Sequence, residues 1–282
     1  MNTKPKKQFR PSRLIARFFL IPYSLIVAYP LFWTLSGSLK TNRTFFKNLY
    51  GFPTEFNIVN YVTAWGKAKV SLFFFNSVYM TLLSLLIMVL FASTTSYVLA
   101  RYKFKLNALI KFIYITGLMI PGMAGIIPLY MQISAFGMLD SRTAVALLMG
   151  IGMMPVSCYL LINFYKTIPT EISEAGIIDG CSNTHLFGKV MLPLVTPGLI
   201  PVIIMQFIYA WNEVYFSFVL IQTREKMNLQ VGLMTLQKQY NQRGDFVTQF
   251  AAIIIVMLPT LIVYILFQRK IISSVTIGSV KG

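Results

Sequence analysis

Few residues in this chain have the chemistry to act on a bound molecule. Aspartate and glutamate together number eight, with one histidine and two cysteines. One acid, Glu213, falls inside an apolar block, beside Trp211 and Asn212 in the run AWNEVYF. A carboxylate at membrane depth is costly and marks a translocation path, a gate or a counter-ion. Near the outer interface the same group is hydrogen-bonded or wetted, and both readings of Glu213 stand. Trp211 suits stacking on the apolar face of a sugar ring, and it suits an interfacial aromatic belt equally well. Asn76, Ser77 and Gln206 also interrupt apolar blocks. They either face a hydrophilic cavity or bond between neighbouring helices.

The remaining candidates are blander. His185 has no carboxylate or cysteine pattern around it and reads as a surface helix residue. Cys158 lies in an apolar block and Cys181 in a polar loop, a setting that favours unpaired thiols over a disulfide or a metal site. No HExxH, GxSxG or paired-carboxylate arrangement stands out, so the chain does not read as an enzyme. The run GSLKT from Gly37 to Thr41 lacks the G-x-x-x-x-G-K spacing that cradles phosphates. Any ATP chemistry therefore belongs to another chain.

The elements that position these residues follow from hydropathy. Of 282 residues 56% are hydrophobic and only 12% charged, against about a quarter charged in a soluble domain. The apolar residues fall into blocks long enough to cross a bilayer core, which needs about 20 residues at about 1.5 Å each. Six spans are read, at about 18–35, 72–99, 112–133, 144–164, 199–221 and 250–267. They form one integral domain over 18–268, between a basic segment (1–17) and a C-terminal tail (269–282). Pro121, Gly125 and Pro128 are expected to bend the third span. The fold class is an all-α integral membrane protein with both termini in the cytosol. Orientation comes from the basic residues, fifteen of which, of 25, fall on the inner side. They cluster at Lys4, Lys6, Lys7, Arg10, Arg13 and Arg17, then at Arg101, Lys103, Lys105 and Lys111, and at Arg269, Lys270 and Lys281 near the end. The net charge of +17 thus sits beside spans, where it meets lipid headgroups and not nucleic acid.

The inner loop 166–197 contains TIPTEISEAGIIDGCSNTHLFGKVMLPLVTPG. Pro169 fits a first helical turn, and Glu171 and Glu174 place negative charge near the positive end of the helix dipole. Ile168, Ile172 and Ala175 recur at spacings of four and three, giving one apolar stripe. Gly180 is a natural stop, and a second short helix is expected from Asn183 to Val190, ending before Pro193. Ala175 and Gly176 would let another protein approach the backbone closely.

This stretch resembles the cytosolic EAA loop of ATP-binding-cassette importer permeases, whose pattern is E-A-A, three residues, G, nine residues, I-x-L-P. Glu174, Ala175, Gly180, Leu192 and Pro193 match, while Gly176 replaces an alanine and Val190 an isoleucine. Further segments resemble the carbohydrate-uptake branch, in particular the second permease of maltose-type systems. They are SLKTN (38–42), NYVTAW (60–65), YVLARYKFK (97–105), MIPGMAGIIPLY (119–130), FIYAWNEVYFSFVL (207–220) and the tail from 267.

The resemblance implies a bacterial inner-membrane permease forming half of a path for a sugar or oligosaccharide. It implies a sister permease, two ATPase subunits and an external solute-binding protein as partners. ATP and magnesium would be bound by the ATPases and no cofactor by this chain. The docking residues it implies are Glu174, Ala175, Gly176, Asp179, Gly180, Leu192 and Pro193. Asn76, Gln206, Trp211, Asn212 and Glu213 are the candidates for the path or gate. A non-sugar cargo, such as a polyol or glycerol phosphate, is the nearest alternative. An ion-coupled transporter is a remoter one, since no internal repeat is visible.

Overall fold

The computed structural model describes residues 11–279, with side chains for residues 17–268 and for Lys270. Lys4, Lys6, Lys7, Arg10 and Lys281, used above for orientation, lie outside the described residues, as do the side chains of Arg13 and Arg269.

Every regular element among the described residues is helical. A long helix α1 (Pro11–Ser38) is followed by α2 (Asn42–Lys47) and by α3 (Val59–Val62), which runs into a π-helical turn at Thr63–Lys67. Next come α4 (Val70–Arg101), α5 (Asn107–Met119), a 3-10 turn at Gly122–Gly125 and α6 (Ile126–Ala135). Then follow α7 (Arg142–Gly152), α8 (Met154–Thr167) and α9 (Thr170–Ile178). The short α10 (Asn183–His185) continues through a π-helical turn, Leu186–Met191, into α11 (Leu192–Trp211). The chain closes with α12 (Tyr215–Leu220), α13 (Leu229–Arg243) and α14 (Phe246–Ser279).

Four helical stretches are long and apolar enough to cross a membrane: Arg17–Ser38, Val70–Arg101, Asn183–Trp211 and Phe246–Gln268. Two bent pairs raise the number to six if each counts as one span. The first, Asn107–Met119 with Gly122–Ala135, turns through 99°. The second, Arg142–Gly152 with Met154–Thr167, turns through 42°. The block 112–133 is thus broken, not merely curved, because Pro121 cannot continue a helix from Met119 and Ile120 is extended before it.

The fifth block differs more from expectation. Its helix starts at Asn183 and passes Pro193, where a separate short helix was expected to stop. Pro193 sits in the first turn of α11, where a missing amide costs little, and the preceding turn is wound wide as a π-helix. Pro197 and Pro201 follow within the same helix. At the other end α11 stops at Trp211, ten residues before the expected limit, for a reason that lies in Glu213 and is given below.

The described chain divides into two compact units, one holding residues up to Ala68 with Leu236–Ile255, the other Lys69–Thr235 with Val256 onward. In the larger unit α4 is the central helix and packs on α7, α8 and α11. Its buried stripe runs through Met80, Ser84, Met88, Ala92 and Ser96, where small residues let neighbouring helices come close. Leu82, Leu86 and Leu90 point outward, the pattern of a helix with lipid on one side.

In the smaller unit, two segments quoted above for their resemblance bind each other. The Asn60 amide donates to the carbonyls of Ser38 (2.8 Å) and Lys40 (2.7 Å). Ser38 and Tyr61 share a hydroxyl bond of 2.6 Å. Lys40, buried and lowered in pKa by that burial, donates from Nζ to the carbonyl of Asn48. Trp33, Phe45 and Phe250 stack edge-on beneath.

Candidate functional site

The helix α9 opens after Pro169, which precedes the first helical residue instead of lying within the turn. Its end is a Schellman stop. The Gly180 amide donates to Ile177 and the Cys181 amide to Gly176, both at 3.0 Å, with Gly180 at φ +80°. Only glycine enters that backbone region without strain. Ser182 then caps the next helix, accepting from the His185 amide at 3.3 Å.

The two helices close on each other at Gly176. A Cβ there would stand 2.7 Å from Leu186 Cδ1, so the close approach it permits is to the chain's own next helix. The inward stripe of α9 is Ile172, Ser173 and Gly176, and the Ser173 hydroxyl meets Met191 Sδ at 3.5 Å. Ala175, placed on the apolar stripe by spacing, faces outward with Glu171, Glu174 and Ile178. Asp179 and Gly180 are exposed at the tip, and Leu192 and Pro193 lie a full helical stretch away.

This hairpin is fastened to α4. The Arg101 guanidinium donates to the carbonyl of Ile168 at 2.7 Å, satisfying the frayed end of α8. Tyr97 packs against Tyr165 and Phe187, and Tyr102 donates to Asn183. Arg101 was legible only as an orienting charge, since its partner is 67 residues away in sequence.

The path candidates are arranged differently. Asn76 donates to the carbonyls of Glu225 and Met227, both at 2.8 Å, and accepts from Arg142 at 2.6 Å. Gln206 is fully enclosed and donates to Ser84 Oγ (3.2 Å) and to the Met149 carbonyl (3.3 Å). Trp211 is enclosed as well, stacked on Phe207, with its indole donating to Val256 at 3.1 Å. Glu213 ends α11 and starts α12, because its carboxylate accepts from the amides of Phe216 and Ser217. Its own carbonyl accepts from Asn228 at 2.6 Å. Of the five, Asn212 alone is exposed, with Gln230 at 3.4 Å.

Beside this end lies a clamp that no local pattern announced. Asp140, at φ +56°, accepts from the amides of Gln222 (2.9 Å) and Thr223 (2.8 Å), the Thr223 hydroxyl and Lys226 Nζ (both 2.7 Å). The Lys226 ammonium and the Thr223 donors hold this carboxyl well below the usual carboxylate range. Its partners lie more than eighty residues away, so spacing carried no signal.

Comparison with known proteins places this architecture. The model for "Binding-protein-dependent transport system inner membrane component" matches residues 92–276. The chain belongs to that family. The permease is 32% identical over 265 residues to the diacetylchitobiose uptake system permease protein NgcG of Streptomyces coelicolor, covering 94% of this chain and 88% of that one. It is 30% identical to the sulfoquinovosyl glycerol transport system permease protein SmoH of Agrobacterium fabrum, covering 97% and 94%. A solved bacterial ABC transporter involved in import of the acidic polysaccharide alginate shares the fold, with TM-score 0.81 at 20% identity over 95% of this chain and 99% of that one. This chain is therefore a multi-pass transport permease of the cell membrane, in a family that carries solutes and not catalytic chemistry.

Proposed function

We propose that this permease forms half of a translocation path for a sugar or short oligosaccharide, handed over by an external binding protein and driven by partner ATPases. The cargo class rests on relatives named for glycoside uptake. A sister permease supplies the other half of the path, because one such chain cannot enclose it. Six spans with both termini in the cytosol put the 166–197 loop on the ATPase side and the Glu213 end on the binding-protein side.

The observation that carries the mechanism is the build of the α9 hairpin. Its inner side is sealed by Gly176 on Leu186, its tip is set by Gly180, and Glu174 and Ala175 remain open on the outer side. A partner that grips α9 therefore moves a rigid body. That body continues without a helical break into Asn183–Trp211, 29 residues or about 43 Å of helix. ATP-driven closure of the ATPases is thus carried from the docking loop to the Asn212–Glu213 end.

The test is Gly180→Asp. An aspartate at the tip adds a charge and a Cβ at a positive φ. Uptake in whole cells is expected to fall to background while membrane insertion is retained, with the ATPase lost on gentle purification. Wild-type uptake by this variant would remove the docking-loop reading.

A further inference from the structure

The segment from Asn42 to Lys67 turns the usual inside-out pattern around. Its buried positions are Phe45, Asn60 and Ala64, mostly small or polar, while Phe46, Tyr50, Phe52, Phe56, Val59 and Val62 point outward. Phe52 is 91% exposed and Tyr50 77%. These side chains do not belong to a slack loop. Thr41 caps α2 through a reciprocal box with Thr44, Asn48 accepts from the Gly51 amide at 2.8 Å, and Asn60 ties the far end to Ser38 and Lys40. A well-made fold is thus holding aromatic rings outward.

Depth says what they meet. The Trp33 indole donates to the Leu49 carbonyl at 2.9 Å, and the Ser36 hydroxyl donates to the Gly51 carbonyl at 3.3 Å. Trp33 lies five residues before the end of α1, about 7.5 Å along a helix axis. Residues 49–51 therefore hang back beside the last turns of a helix with membrane-spanning length and hydropathy. That helix exposes Tyr29 and Phe32 just below. Rings held level with the last turns of such a helix are placed to meet the boundary between headgroups and acyl chains of a bilayer that the helix crosses.

Charge fits the same surface. Arg43, Phe46 and Lys47 share the exposed face of α2, and Lys67 is exposed at the other end. Glu55 is the single acid between Asn42 and Lys67, and no ion pair among the described residues involves Arg43, Lys47 or Lys67. Aromatic rings rimmed by unpaired cations are the composition of elements that lie in a membrane interface and gather anionic headgroups.

We propose that residues 42–67 form a built-in interfacial anchor, with Tyr50 and Phe52 seated among lipid glycerol and upper acyl groups and Arg43, Lys47 and Lys67 binding anionic phospholipid headgroups. The anchor fixes the height and tilt of α1 in the bilayer. It acts on the lipid alone and needs no cargo.

The test uses the whole importer, co-expressed with its partner subunits and reconstituted in vesicles of phosphatidylcholine and phosphatidylglycerol. A Cys181→Ser background leaves Cys158, which is fully buried. Phe52→Cys and, separately, Tyr50→Cys carry an environment-sensitive fluorophore, and Gln222→Cys, exposed after α12, serves as the water-facing control. Labels at 52 and 50 are expected to be quenched by nitroxides placed high on the acyl chain and spared by aqueous iodide, with the reverse at 222. Arg43→Gln with Lys47→Gln is expected to weaken the local enrichment of spin-labelled phosphatidylglycerol by about fivefold per residue removed. Iodide quenching at 52 and 50 equal to that at 222 would overturn the proposal. So would labels shielded from both quenchers that cross-link to a partner subunit, which would make the face a protein interface.

Discussion

The hairpin around α9 and the segment 42–67 solve one problem in opposite ways. Each folds a polar stretch between long helices, and each puts small or polar residues inward. Gly176 meets Leu186 in the first, and Asn60 binds two carbonyls in the second. What each leaves outside differs. The hairpin offers Glu171, Glu174, Ala175 and Ile178, two acids, a methyl group and one exposed aliphatic side chain on a face that a protein cleft can grip. The other offers rings and cations. An inward-facing small residue therefore frees the opposite face, and the composition of that face selects the neighbour.

The largest expected effect comes from breaking the second scaffold. Asn60→Ala strands the carbonyls of Ser38 and Lys40, at about 1–3 kcal/mol each. Thermal unfolding in detergent should show a clearly lowered midpoint; an unchanged one would mean that the segment holds its shape by other contacts. Next is Gly176→Leu. Overpacking against Leu186 is expected to cost about 1–3 kcal/mol and to stop uptake by tilting α9. Ala175→Arg sharpens the contrast, since the residue faces outward. Its stability should stay within about 0.5 kcal/mol of wild type while binding-protein-stimulated ATP hydrolysis is lost. Equal loss of stability in both variants would erase the distinction between the two faces of α9.

The smallest effect is expected at the Asp140 clamp. Its carboxyl titrates lower in the folded chain than in the unfolded one, so the stabilisation is complete above the unfolded value of about 3.9 and declines as pH falls from there. Hydrogen exchange at the Thr223 amide should accelerate over that range, and Asp140→Asn should show no such pH dependence. Both loops above should be indifferent to that substitution.

Much of this was legible because membrane helices leave a strong signal. Long apolar helices, a departure from straightness near Pro121 and the stop at Gly180 all follow from residue types whose backbone preferences are sharp, although the bend expected at Pro121 is a full break. The side on which a loop residue packs was less legible. Ala175 and Gly176 differ by one methyl group, and only the position of Leu186 decides which of them faces inward. Pro193 misled for another reason, because a proline ends a helix only where no adjustment of the preceding turn accommodates it. The enclosed Trp211 and the Arg101 and Asp140 contacts depend on residues 45, 67 and more than eighty positions away, which spacing does not reveal.

Pro193, Pro197 and Pro201 recur every four residues along α11, so their rings fall within a narrow arc of its circumference. Pro197 and Pro201 each remove the amide that would have met the carbonyl four residues earlier, at Pro193 and Pro197, and the turn before Pro193 is already wound wide. The backbone is thus weakened along one edge. Such a rod carries a push along its length with any bending confined to one plane, much as a leaf spring does. A push from α9 would then reach the far end as a swing of fixed direction, with the plane of motion written into three rings and not into any hinge loop.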